Sequence, residues 1–115
     1  MKNYPEYYKK LNSGMKALGQ AAPDVMKGFG ALHKASLKPG ALDTKMKELI
    51  ALGIAIAARC DGCIAAHVHA SLEAGASKEE ITETVSVAIL MGGGPAVVFG
   101  VAAMQALSQF QEQGL

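Results

Sequence analysis

Glycine and proline punctuate this chain at nearly even intervals, and between them the apolar residues recur at helical spacing. From Tyr4 to about Ala21, one face collects Tyr4, Tyr7, Tyr8, Leu11, Met15 and Leu18, and Pro23 follows soon after. Asp24 to about Ser36 reads as a second, weaker helix. After Lys38-Pro39-Gly40, Asp43 or Thr44 is placed to cap a third, whose Met46, Leu49, Ile50, Leu52, Gly53 and Ile56 form a wide apolar face. Its later part, Leu49 to Ala58, is apolar all round and is expected to be buried. Arg59-Cys60-Asp61-Gly62-Cys63 breaks the pattern, because Asp and Gly favour helix starts and turns over helix interiors. A fourth helix is expected from this break to Ala74, with Gly75 as its stop. Ser77 and Glu80 then form a capping box for a fifth helix over about Lys78 to Met91. Gly92 to Gly94 turn the chain, and Pro95 suits the first position of a last helix ending near Gln113. No run alternates with period two, so no strand is expected. The pattern predicts an all-α bundle of five to six helices in a single domain, residues 1–115.

Composition says what such a bundle is packed with. Twenty residues are Ala and only six are aromatic, so the core must be built from small aliphatic side chains at close spacing. A domain of 115 residues cannot bury all of a 50% apolar composition by itself, which points to oligomerisation. Eleven Lys and Arg balance ten Asp and Glu, a net charge of +1 that offers no field for a phosphate backbone, so nucleic acid is not an expected partner. Thr84 to Gln111 carries no charge and is long enough to span a bilayer. Gly92-Gly93-Gly94-Pro95 in its middle would break such a span, however, and two helices at a subunit interface account for the same composition without a membrane. The first residues, MKNYPEYYKK, lack the apolar run of a signal peptide, which makes a reducing, cytoplasmic location the expectation. Two cysteines three residues apart cannot build the disulfide framework of a secreted domain, but they can form a local redox pair or part of a metal site.

The chemistry-bearing positions are Glu48, Cys60, Cys63 and His67, spaced E-x11-C-x2-C-x3-H. At about 100° per residue, Cys63 and His67 fall within roughly 60° of Cys60 on a helix, while His69 lies on the other side. Two α carbons three residues apart on a helix are about 5 to 6 Å from each other, inside the window for a disulfide. A helix start favours a thiolate through its unpaired N–H groups and the positive end of the dipole. Arg59 adds a positive charge, offset in part by Asp61. His67 is placed to exchange a proton with Cys63. If the helices on either side of the break run antiparallel, Glu48 comes level with His67, where a carboxylate would fix the ring's tautomer and raise its basicity, giving a relay from Glu48 through His67 to Cys63. Singly, each residue has an ordinary reading: two small core residues, a helix histidine, an acid in a first turn. Their joint occurrence in a charge-poor hairpin is what points to a site. The rival is a metal held by Cys60, Cys63 and His67 with Glu48 as fourth ligand, but the chain has no second C-x2-C or H-x3-H to supply the distant ligand pair of a structural zinc site. No βαβ pattern surrounds the pair, so a thioredoxin-type setting does not apply. The reading adopted contains neither metal nor cofactor.

The stretch from Lys47 to Gly75, KELIALGIAIAARCDGCIAAHVHASLEAG, resembles the alkylhydroperoxidase D-like family within the carboxymuconolactone decarboxylase superfamily, whose motif is a Glu, eleven residues, then C-x2-C-x3-H. The likeness extends over about Leu37 to Gln113. It implies an all-α fold, a homotrimer or a homohexamer of three dimers, and a redox-active cysteine pair in a pocket near a subunit interface. It also implies antioxidant peroxide reduction: one thiolate attacks the O–O bond, its neighbour resolves the sulfenic acid to a disulfide, and a dithiol donor, lipoyl or thioredoxin-like, restores the pair. Catalytic roles thereby fall on Cys60, Cys63, His67 and Glu48. Either cysteine can be the attacker: Cys60 is nearer the turn, whereas family precedent and proximity to His67 favour Cys63. Gly62 stands where some active peroxidases of the family carry a His, a departure that fits a slower peroxidase or a disulfide reductase. The alternatives are a non-catalytic or redox-sensing ligand binder of the same fold and, less favoured, a decarboxylase, a branch that generally lacks the cysteine pair.

Overall fold

The computed structural model describes residues 2–114 as six helices: α1 (Tyr4–Ala21), α2 (Pro23–Leu37), α3 (Thr44–Ala57), α4 (Asp61–Glu73), α5 (Lys78–Gly92) and α6 (Gly94–Glu112). There is no strand among the described residues. Each start has a local cause. The Asn3 side chain accepts the Glu6 N–H at 3.0 Å, and Asp43, rather than Thr44, accepts that of Met46 at 2.8 Å. Ser77 and Glu80 exchange both bonds of the expected capping box, at 2.9 and 3.0 Å. Gly75 after α4 (φ 91°), Gly93 between α5 and α6 (φ 68°) and Gly114 after α6 (φ 76°) sit where φ is positive, a conformation that costs any residue with a Cβ. The last helix begins at Gly94, one residue before Pro95.

Helices α3 to α6 form the core. α3 lies against α4 and α5, and α6 against α5 and α4. Leu52, Ile56, Ile64, Val68, Ile81 and Phe110 have no exposed surface, each such side chain contributing about 1.5 to 3 kcal/mol of burial. Ala65, Ala103 and Ala106 are equally buried and let the helix backbones approach closely. Between α5 and α6 even a methyl is too much: a Cβ on Gly100 would stand 2.9 Å from Val85 Cγ1. α1 crosses α4 and α6, with Tyr4 buried and Tyr8 edge-on to Phe110 at 6.0 Å, so these tyrosines anchor the first helix. α2 packs on α1 and α3 and buries no residue.

One expectation is corrected. The segment from Leu49 to Ala58, apolar on every side, is only partly buried: Leu49, Leu52, Ala55 and Ile56 face the core, while Ile50 and Ile54 are 46% and 63% exposed. α4 and α5 cover two flanks of α3, and among the described residues none covers the side that carries Ile50 and Ile54. The charge-free stretch behaves likewise, with Val85, Ala88 and Leu107 inside and Leu90, Met91, Val98 and Val101 outside. An apolar groove of about 530 Å³ opens between α3 and α5, lined by Met46, Ile50, Ile54, Thr84, Val87 and Met91 among others. No described helix is long and apolar enough to cross a membrane.

Candidate active site at the junction of α3 and α4

The break between α3 and α4 is built from two overlapping termini. Arg59 adopts φ 60°, and the N–H groups of Arg59 and Cys60 return to Ile56 and Ala55 carbonyls at 3.1 and 3.0 Å, which closes α3 with a left-handed turn. Cys60 then serves as N-cap of α4: its backbone is extended rather than helical, and its Sγ accepts the Cys63 N–H at 3.2 Å. One residue thus ends one helix and starts the next. Cys60 and Cys63 are joined by a disulfide, with α carbons 5.2 Å apart, and both are half-buried. In the reduced state the same sulfur position, accepting the Cys63 N–H at the positive end of a helix, suits a thiolate.

The chain folds back across the break, and Glu48 of α3 meets His67 of α4, with 2.7 Å between Glu48 Oε1 and His67 Nδ1. Glu48 is 6% exposed, an unusual place for a carboxylate without a partner. An ionised carboxylate only accepts, so Nδ1 carries the proton and Nε2 is left as the free nitrogen of the ring. His67 is one helical turn beyond Cys63, on the same face. His69 points elsewhere, its ring packed on Tyr8 and Phe110 at 4.9 and 5.1 Å. Its Nδ1 lies 3.0 Å from Glu73 Oε1, yet it is buried and poorly aligned for a hydrogen bond with that carboxylate. The structure thus brings Glu48 onto His67 and bonds the two cysteines to each other. Among the described residues, no three His, Cys, Asp or Glu side chains converge as a metal site would require. The groove between α3 and α5 includes none of the four site residues.

Several neighbours of the pair have no signal in the linear sequence. His33 of α2 stacks on His67, with ring centroids 6.4 Å apart and planes 24° from parallel. Asp61, between the cysteines, is offset not by Arg59, which has no ion pair among the described residues, but by Lys2 Nζ and by the Tyr4 hydroxyl, which donates at 2.9 Å. The Asp61 carboxylate raises the pKa of Lys2, while burial, and then the bond to Asp61, raises that of Tyr4. The space beside Gly62 is filled from α1: a Cβ there would stand 3.1 Å from Leu11 Cδ2 and 3.4 Å from the Tyr7 hydroxyl. A larger residue between the cysteines would require the Leu11 and Tyr7 side chains to give way.

Residues 23–106 match the model of the carboxymuconolactone decarboxylase family, so the matched region includes α2 and begins earlier than the motif alone suggests. An uncharacterized protein of Cupriavidus necator is 37% identical over 101 residues, covering 88% of this chain and 87% of that protein. The fold is similar to that of a carboxymuconolactone decarboxylase family protein from Legionella pneumophila, with TM-score 0.90 and 36% identity over 93% of this chain and 96% of the other. It is similar as well to a Thermotoga maritima protein of that family for which an antioxidative role has been suggested, with TM-score 0.73 and 36% identity over 76% and 91% of the two chains.

Proposed function

Because this chain belongs to the carboxymuconolactone decarboxylase family, we propose that it is one of the members that work by thiol chemistry, a peroxidase of the alkylhydroperoxidase D-like type, with disulfide reduction as the other use of the same pair. The observation that carries this reading is the Cys60 and Cys63 disulfide at the N-terminus of α4, on the same helix face as a histidine whose Nδ1 is tied to a buried carboxylate. In the proposed cycle, His67 Nε2 takes the Cys63 thiol proton. The thiolate attacks the nearer oxygen of the peroxide, the O–O bond breaks, and the alkoxide leaves as alcohol with a proton from the imidazolium. Cys63 is then a sulfenic acid. The Cys60 sulfur attacks it, water departs, and the disulfide forms. Two electrons from an external dithiol, lipoyl or thioredoxin-like in class, reduce the disulfide and leave the donor oxidised.

The exposed apolar surface of α3, α5 and α6, including Ile54, Leu90, Met91, Val98 and Val101, supports assembly as a homotrimer or homohexamer, which light scattering of the purified protein measures directly. The catalytic reading is tested by stopped-flow consumption of cumene hydroperoxide with dihydrolipoamide as donor. Turnover that disappears in a Cys60→Ser/Cys63→Ser control is expected. Equal rates in both proteins would leave a ligand binder of the same fold. Trapping of sulfenic acid in the single variants identifies the attacker, with Cys60→Ser expected to retain the fast-oxidising thiol and Cys63→Ser to lose it.

A further inference from the structure

The four-residue segment that carries the disulfide holds a carboxylate, Asp61, at the start of α4. A negative charge next to two sulfurs opposes the formation of thiolates, so its presence in a redox pair needs a counterweight. The structure contains one, and it comes from the first residues of the sequence, 59 positions away from Asp61. Lys2 Nζ pairs with Asp61 Oδ2, and the Tyr4 hydroxyl donates to Oδ1 at 2.9 Å. Lys2 also sits 4.3 Å over the centroid of the Tyr7 ring, whose hydroxyl adjoins Gly62. The backbone that carries Lys2 is held by α6: Gln109 Nε2 donates to the Lys2 carbonyl at 2.9 Å, and its Oε1 accepts the Tyr4 N–H at 2.7 Å. Tyr4 itself is 3% exposed. Both residues between the cysteines are therefore contacted by the same short stretch of chain.

We propose that Lys2 and Tyr4 act as positioning residues for the thiol pair, balancing the Asp61 carboxylate so that Cys60 and Cys63 ionise and exchange at neutral pH. This rests on the dithiol reading above and adds to it a device set by residues far away in sequence. Stability alone gives little reason for the arrangement, because an ion pair with one partner half exposed contributes almost nothing to folding. Its field on the neighbouring sulfurs is another matter: a unit charge roughly 7 Å from a thiol, in a half-wet site with an effective dielectric constant of about 40, shifts the thiol's acidity by about one pKa unit. The other ionisable groups around the sulfurs are His67 on α4 with Glu48 of α3 behind it, His33 of α2 stacked on His67, the exposed Arg59, and the Tyr7 hydroxyl of α1. None of these has a hydrogen bond or ion pair to Asp61 among the described residues.

The test is a pH titration of iodoacetamide alkylation on the reduced protein, read cysteine by cysteine by mass spectrometry. Lys2→Met is expected to raise the apparent thiol pKa by about half a unit to one unit and Asp61→Asn to lower it by a similar amount, with the Lys2→Met/Asp61→Asn double variant returning close to wild type and Lys2→Arg staying there. Both single substitutions break the same ion pair, so a merely structural role would move the pKa in the same direction in both. Shifts of the same sign, or no shift in either variant, would overturn the proposal. The titration needs no peroxide and no donor, so an absence of peroxidase turnover would remove the catalytic reading while leaving this measurement able to decide its own question.

Discussion

Replacing Glu48 with Gln keeps the shape of the buried side chain and removes its charge, which isolates what the carboxylate does for His67. The amide oxygen can still accept the Nδ1 proton across the 2.7 Å contact, so the tautomer survives. What is lost is the charge-assisted part of the bond, about 1.5 to 3 kcal/mol for a bond to an ion against about 0.5 to 1.5 kcal/mol for a neutral one. The contact is screened little, since the side chains of His67 and Glu48 are only 20% and 8% exposed. If the difference of about 1 to 1.5 kcal/mol is felt where the imidazole becomes imidazolium, the peroxide-dependent rate falls by about 5- to 15-fold. The fold should lose no more than ~1 kcal/mol, whereas Glu48→Ala, which opens a cavity and leaves Nδ1 unpaired, should cost about 2 to 4 kcal/mol. Stopped-flow peroxide consumption supplies the first number and urea unfolding the second. A cycle with His67→Ala sharpens the reasoning, because a carboxylate that acts only through the ring has nothing left to do once the ring is gone. The double variant should then be no slower than His67→Ala alone. A Glu48→Gln protein that is folded and reacts within twofold of wild type would refute the relay, and additive losses in the double variant would show that Glu48 acts by some other route.

Further outcomes follow from single contacts. Ser71 is wholly buried and its hydroxyl has no hydrogen-bond partner among the described residues, so Ser71→Ala should stabilise the fold by about 1 kcal/mol in urea unfolding, and a loss of stability would mean that the hydroxyl is satisfied. Arg59 holds φ 60° at the end of α3, a strain that Gly removes, so Arg59→Gly should gain up to about 1 kcal/mol, read from the urea midpoint, and a destabilised variant would contradict the strain assignment. Tyr4 has its pKa raised above the ordinary tyrosine value, which means that the folded state holds the phenol proton more tightly than the unfolded state. Its contribution to stability is complete below about pH 10 and is lost as pH rises beyond that, so wild type should lose stability in alkali faster than Tyr4→Phe, and parallel curves would refute this.

How much of this protein could be read in advance depended on distance along the chain. The capping box at Ser77 and Glu80, the stop at Gly75 and the turn at Gly93 are determined within a few residues, because capping and left-handed backbone are local matters. The common face of Cys63 and His67 is equally local, a consequence of helical pitch over one turn. The meeting of Glu48 with His67 follows only once the chain is known to fold back at Arg59 and Cys60, which the sequence suggests by its break but does not compel. Periodicity assigns each side chain an angle about its own helix and says nothing about which neighbour will cover that angle. For that reason the exposed Ile50 and Ile54, the stack of His33 on His67, and the hold of Lys2 and Tyr4 on Asp61 were decided by tertiary packing alone. The sequence by itself determined the helices, their ends and the chemistry they could carry. The crossing of α1 over α4, with α2 packed on α1 and α3 so that His33 reaches His67, decided which charges and rings surround the sulfurs, because those contacts join residues as far apart as Lys2 and Asp61, and no rule of local spacing reaches that far.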